Sequence, residues 1–154
     1  MSSKTTRVKV KKISNFTSAE LLELEHLEKK VFEEAALNRW TLPIIARYGS
    51  LFLLTINNQT AGVASFMSKQ RQAFLVGFWV KTEFRSQGMG GFFLGECLEA
   101  LLKENISTVE VTVSVENKRA RSLYKKTGFK LVEKISDFYG PGETRLLLQL
   151  NLLK

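Results

Sequence analysis

Residues 85–91 read Arg-Ser-Gln-Gly-Met-Gly-Gly. They lie between the β-rich run Ala73–Val80 and a stretch that puts Leu94, Cys97, Leu98, Leu101 and Leu102 on one helical face. A strand ending in a glycine-rich turn that starts a helix is suited to bind phosphate. The first free N–H groups of the helix point outward, its dipole is positive there, and glycines let an anion approach the backbone. Gly88, Gly90 and Gly91 fit that role, and Arg85 can add a charge-assisted contact. Spacing excludes two common phosphate ligands. A nucleotide P-loop needs a lysine after its glycines, and a G-x-G-x-x-G dinucleotide loop would place its third glycine where Phe93 stands. The structural alternative is a helix start where glycine merely permits close packing.

A second block follows downstream: Asn117-Lys118-Arg119-Ala120-Arg121-Ser122-Leu123-Tyr124-Lys125-Lys126-Thr127-Gly128-Phe129. The two blocks together resemble the GNAT N-acetyltransferase superfamily. Val80-Lys81-Thr82-Glu83-Phe84-Arg85-Ser86-Gln87-Gly88-Met89-Gly90 is similar to its acetyl-coenzyme A signature, R/Q-x-x-G-x-G/A after a strand ending in valine. The later block is similar to the family's N-x-x-A-x-x-L-Y-x-x-x-G-F. The order and separation match as well. The resemblance is clear from about Ser50 to Phe129, while Met1–Gly49 matches in layout more than in motif.

That resemblance implies an enzyme that moves an acetyl group from acetyl-coenzyme A to an amine. It implies that the amides of Gln87, Gly88, Met89, Gly90 and Gly91 hold the pyrophosphate. Backbone groups of Phe78 and Val80 would pair with the pantetheine arm as with an extra strand, leaving the thioester between two splayed parallel strands. Asn117 would contact the pantetheine or position the next helix. Arg119, with Lys118 and Arg121 as neighbours, would meet the 3′-phosphate or remain simply solvated.

Tyr124 is either a core aromatic with its hydroxyl at the rim or the acid that protonates the departing thiolate. A thiol has a pKa of about 8.5 and a tyrosine of about 10, so full transfer is slightly uphill. A hydrogen bond that strengthens as sulfur becomes charged still lowers the barrier. We assign Tyr124 as general acid. The acceptor amine must also lose its proton before attack. At pH 7 an α-amino group is about one-tenth neutral, whereas lysine is neutral in fewer than one in ~1,000 molecules. Glu110, on the polar face of the Val109–Val115 run, is the candidate base. The resemblance, counted back from Asn117, places Thr112 where some protein N-terminal acetylases carry their glutamate. Glu83, Glu116 and water are the alternatives. His26, among Glu23, Glu25 and Glu28, reads as a solvated surface residue. No acid, histidine and cysteine cluster has metal-ligand spacing, so no metal is expected.

The segment Asp137-Phe138-Tyr139-Gly140-Pro141-Gly142-Glu143 is similar to the loop that contacts the peptide N-terminus in ribosomal-protein and related N-terminal acetyltransferases. Tyr139 would be the contact residue, or else the anchoring aromatic of a Gly-Pro-Gly turn. Phe32, Asn38 and Trp40 are candidates for the opposite substrate wall, with a core position as the alternative for Trp40. These residues favour a protein or peptide amine. A small-molecule amine and a non-catalytic acetyl-coenzyme A-binding module are the competing readings.

Regular elements must hold these groups in place. Val8, Val10 and Ile13 form a first strand. Thr17 and Glu20 make a capping box before a helix whose apolar face carries Leu21, Leu24, Leu27, Val31 and Ala35. A shorter helix after Thr41 carries Ile44, Ile45 and Tyr48 and stops at Gly49. The runs Ser50–Ile56, Ala61–Met67 and Ala73–Val80 read as an antiparallel meander turning at Asn57-Asn58-Gln59. Val109, Val111, Val113 and Val115 alternate with polar residues as a half-buried strand. A helix from Asn117 to about Thr127, a strand around Phe129–Val132 and a last strand with Leu146, Leu148, Leu150 and Leu152 on one face complete the chain. The expected fold is α+β: a mixed, mostly antiparallel sheet with flanking helices and a βαβ cofactor-binding unit.

At 154 residues the chain suits one domain, residues 1–154. Apolar runs are too short to span a bilayer, and the basic N-terminus lacks the apolar core of a secretory signal. The single Cys97 cannot form an internal disulfide and reads as a small buried hydrophobe. A cytoplasmic protein is expected. The net charge of +8 attracts polyanions, but no nucleic-acid-binding motif accompanies it, so steering of a phosphorylated cofactor or solubility is the simpler reading. Exposed strand edges would permit a homodimer.

Overall fold

A computed structural model describes residues 6–153, apart from the side chain of Ser86. In chain order it contains β1 (Val8–Ile13), α1 (Ser18–Phe32), a 3₁₀ turn (Glu33–Ala35), α2 (Leu42–Tyr48), β2 (Ser50–Ile56), β3 (Gln59–Lys69) and β4 (Gln72–Val80). A 3₁₀ segment (Thr82–Gln87), α3 (Met89–Lys103), β5 (Thr108–Val113), α4 (Lys118–Thr127), β6 (Lys130–Ile135) and β7 (Arg145–Asn151) follow. The strands form one sheet in the order β1-β2-β3-β4-β5-β7-β6. Only β4 and β5 are parallel, joined by α3 as the expected βαβ unit.

Helices cover both faces. Phe66, Phe93, Leu94, Val109, Val111 and Leu148 form the core on the α3/α4 side; Leu24, Leu42, Leu51, Val63 and Trp79 form the second, on the α1/α2 side. The period-two pattern of β5 is realised, with Val109, Val111 and Val113 buried and Thr108, Glu110 and Thr112 half-buried on the other face. Leu146, Leu148 and Leu150 face the first core as expected.

The divergence of β4 from β5 positions the site. Their pairing is confined to Gln72 with Thr108, Ala73 with Val109 and Phe74 with Glu110. In β4 the register against β3 then slips: Phe66 faces Leu75 but Ser65 faces Gly77, so Val76 is an extra residue. Such a bulge bends the strand and increases its twist. Past it, β4 stays on β3 and leaves β5, opening a wedge whose apex is Phe74 and Glu110.

Several boundaries differ from expectation. The Thr17–Glu20 capping box forms, but α1 ends at Phe32, so Val31 and Ala35 are exposed rather than core. The buried stripe continues at four-residue steps through Leu24, Glu28 and Phe32. In α2 the inward residues are Leu42, Ile45 and Ala46, leaving Ile44 and Tyr48 exposed. β5 stops at Val113 and Val115 is exposed. β6 runs on to Ile135 as a free edge.

Candidate active site

The glycine turn is the N-terminus of α3, reached through the 3₁₀ segment rather than directly from β4. Gly88 caps the helix in the left-handed region, with φ of 74°, a conformation glycine adopts without steric cost. The first intrahelical bond runs from Phe92 N–H to the Gly88 carbonyl, so the amides of Met89, Gly90 and Gly91 precede the ladder. No acidic residue lies in this first turn. A Cβ built on Gly88 or Gly91 meets nothing within 4 Å, whereas one on Gly90 would approach the Leu123 methyls of α4 at 3.8 Å. Two of the three glycines thus face open space beside free amides, the condition for anion approach. Gly90 combines that role with helix packing.

The wedge supplies a second set of free backbone groups. Lys81 N–H donates to the Ala61 carbonyl across β3 and β4. By the alternation of a strand, Trp79 also turns its backbone groups toward β3. Those of Phe78 and Val80 therefore turn toward the wedge. One of them is already engaged: Arg85 Nε donates to the Val80 carbonyl at 2.9 Å. That contact ties the 3₁₀ segment back to the strand end, with the remaining guanidinium donors left over for an anion. The ring of Phe78 packs on Phe93 with centroids 5.4 Å apart.

On α4, Asn117 is the N-cap, its Oδ1 accepting from Ala120 N–H at 3.2 Å. That contact positions the start of the helix. Arg121 donates to the Val115 carbonyl, while Lys118 and Arg119 are exposed. Tyr124 faces inward at 6% exposure, edge-on to Phe129 at 5.4 Å. Its hydroxyl makes no hydrogen bond among the described residues. Burial pushes this phenol up to about 12, which keeps it protonated.

The opposite side of the wedge faces α1 and α2. Glu110 accepts from Gln149 Nε2 at 3.3 Å across β5 and β7. Two residues on, the Thr112 hydroxyl and the Tyr139 hydroxyl are hydrogen-bonded at 3.0 Å. The Tyr139 ring is also flanked by Phe138 and by the Arg145 guanidinium, 5.1 Å from its centroid, and Arg145 pairs with Glu143. Tyr139 is thus seated on β5 while 57% exposed. Trp40 is 77% exposed and so not core. It borders a cleft of about 500 Å³ lined also by Glu25, Lys29, Glu33, Glu34, Asn38 and Arg39. Phe32 is half-buried, its ring over Gly77.

Other residues are plainly placed. His26, Glu83 and Glu116 are exposed, with Glu116 accepting from the Ser114 hydroxyl. Cys97 is buried, and burial, with Glu96 adding to it, pushes its thiol well above the ordinary range. Among the described residues no cluster of metal-ligating side chains occurs, and no helix is long and apolar enough to cross a membrane. Sequence reasoning missed three groups: Gln149 beside Glu110, the Thr112–Tyr139 contact, and Glu28, buried in α1 and hydrogen-bonded by the Trp79 indole. The polar face shared by Glu110 and Thr112 is the available signal for the first two; Glu28, in a stretch with Glu23, Glu25, Lys29 and Lys30, carries no local signal.

Residues 17–129 match the family model described as the acetyltransferase (GNAT) family. Solved structures share the architecture at low identity. Ard1 from Thermoplasma volcanium superposes with a TM-score of 0.81 at 17% identity, covering 96% of this chain and 99% of that one. The ribosomal-protein-S18-alanine N-acetyltransferase of Escherichia coli gives 0.75 at 21%, with 96% and 94% covered. Arabidopsis thaliana Naa50, in complex with the bisubstrate analogue CoA-Ac-MVNAL, gives 0.77 at 18%, with 94% and 98% covered.

Proposed function

The chain belongs to the GNAT acetyltransferase family, and from that membership we propose that it acetylates the α-amine of a protein or peptide. Acetyl transfer from acetyl-coenzyme A goes with the family; the acceptor is our reading. One observation carries it: Tyr139 is held on Thr112 by a hydrogen bond, exposed beside the open wedge, where it can meet a peptide backbone. Two similar folds support the direction, one an alanine N-acetyltransferase of a ribosomal protein and one captured with a peptide-bearing analogue.

The residues present fit the cofactor. Free amides at the start of α3, open space at Gly88 and Gly91, and the groups of Phe78 and Val80 that have no ladder to β5, with Arg85 already on the Val80 carbonyl, make a continuous polar track. When bound, acetyl-coenzyme A supplies the activated thioester. The amides of Gln87, Gly88, Met89, Gly90 and Gly91 would bind the pyrophosphate, Arg85 would add charge, and Arg119 would meet the 3′-phosphate. Phe78 and Val80 orient the pantetheine arm, with Asn117 holding α4 beside it. Glu110, steadied by Gln149, accepts the proton of the acceptor ammonium. Tyr124 holds the proton that meets the departing thiolate. Phe32, Trp40 and Tyr139 flank the acceptor. The scheme uses no metal. A single domain spanning residues 1–154, a cytoplasmic location in keeping with the unpaired Cys97, and a homodimer on the free β6 edge complete the proposal.

Glu33 and Glu34 in the cleft beside Trp40 favour a second reading, a polyamine acceptor. Lys29 and Arg39 in the same cleft weigh against it, since Arg39 already pairs with Glu25 at 3.0 Å. Calorimetric titration with acetyl-coenzyme A, followed by thiol release with peptides and polyamines, tests the proposal. Release with peptides alone supports it. Release with polyamines alone overturns the acceptor, and absence of cofactor binding overturns the site.

A further inference from the structure

Past the bulge, residues Gly77 to Val80 of β4 have a ladder to β3 but none to β5. A strand held on one side is free to twist unless another element restrains it. Two contacts from α1 do so. The Phe32 ring lies over Gly77, where a Cβ would come within 3.8 Å of it. One helical turn earlier, Glu28 accepts a hydrogen bond from the Trp79 indole N–H.

Glu28 is 1% exposed and, among the described residues, forms no ion pair. Its Oε1 is enclosed without a hydrogen-bond partner. A buried carboxylate in this condition lowers stability. Burial pushes its pKa up, against the opposing effect of the Trp79 N–H and the Leu37 backbone. A methionine would fill the same helical position without enclosing a charge. What the acid provides instead is an acceptor for Trp79, and Trp79 sits between the two residues whose backbone groups turn into the wedge.

We propose that Glu28 is a positioning residue of the acetyl-transfer site: through the Trp79 indole it fixes the Phe78–Val80 stretch of β4 in the extended form that the cofactor arm pairs with. The inference rests on the placement of that arm along Phe78 and Val80. The hydrogen bond, rather than the charge, is the working part. It links α1, which walls the acceptor side, to the strand that walls the cofactor side.

The test is calorimetric titration of acetyl-coenzyme A, with thermal unfolding in parallel, on wild type, Glu28→Gln, Trp79→Phe and the double variant Glu28→Met/Trp79→Phe. Glutamine keeps an oxygen for the indole but no charge, so Glu28→Gln is expected to bind within about threefold of wild type whatever its unfolding temperature. Trp79→Phe strands the carboxylate, and a roughly tenfold weaker affinity is expected with lower stability. The double variant removes the carboxylate and the indole N–H together, so it should recover stability relative to Trp79→Phe and still bind roughly tenfold more weakly than wild type. A pair that only stabilises the fold would instead lose and regain affinity together with stability. Wild-type affinity in the double variant would therefore overturn the proposal. Absence of binding by the wild type would be a different failure, since it removes the placement of the cofactor as well.

Discussion

Replacing Tyr124 by phenylalanine removes one oxygen and leaves the packing alone. The ring is buried against Phe129, and the hydroxyl makes no hydrogen bond among the described residues, so no partner is left stranded. The expected stability change is within about 0.5 kcal/mol, a melting shift of roughly 2 °C or less. Catalysis should respond differently. A charge-assisted hydrogen bond contributes about 1.5–3 kcal/mol. If it forms only as sulfur becomes charged, kcat falls roughly 10- to 150-fold, while KM for acetyl-coenzyme A stays within about twofold. Thiol release at saturating substrates, with thermal unfolding alongside, reads both quantities. A kcat within about threefold of wild type would refute the assignment. So would a loss expressed entirely in KM.

The same residue has a pH signature. With its pKa pushed up to about 12, Tyr124 stays protonated through the neutral and mildly alkaline range, so wild-type kcat should show no loss of the acid there. The folded-state value lies above the ordinary 10.0, so the folded state favours the protonated phenol. That contribution is complete below pH 10 and is lost as pH rises toward 12, up to about 3 kcal/mol in all. Tyr124→Phe should lack this alkaline decline in stability.

Glu110→Gln is expected to lower kcat for a peptide amine about 100-fold at pH 7, the deficit shrinking above pH 8 as the amine deprotonates unaided; a deficit constant with pH would exclude Glu110 as base. Tyr139→Phe removes the hydroxyl that bonds Thr112. Peptide KM should rise about fivefold, as should that of Thr112→Val, with acetyl-coenzyme A binding unchanged and the double variant no worse than either single. Gly88→Ala places a side chain at φ of 74° but in open space. The strain should cost about 1 kcal/mol, lowering the melting temperature by roughly 2–4 °C; an unchanged melting temperature would mean that the left-handed cap is not required.

Much of the architecture was legible locally. The alternation in Val109–Val113 sets a strand with one buried face because successive side chains point to opposite sides. Thr17 with Glu20 caps α1 because a hydroxyl and a carboxylate three residues apart satisfy each other's backbone amides. Gly88, Gly90 and Gly91 at the end of a β run mark a helix start with accessible amides, and Tyr124 lies on the inward stripe of a short helix with Ala120 and Leu123. Each of these signals is contained within a turn or two of chain.

What could not be read there depends on partners far along the sequence. The wedge exists because a bulge at Val76 bends β4 away from β5; Gly77 beside it is the one local hint, and it does not say which partner strand is lost. Thr112 and Tyr139 are 27 positions apart, and their contact follows from how the loop before β7 folds over β5. Glu28 sits among exposed acidic and basic neighbours, and helical periodicity assigned the apolar face to Val31 and Ala35 instead. It is buried because Trp79, 51 residues away, offers an N–H from β4. Periodicity reports which side chains share a face. Whether a carboxylate on that face can leave water depends on a donor that another segment brings, and that donor is absent until the sheet has formed.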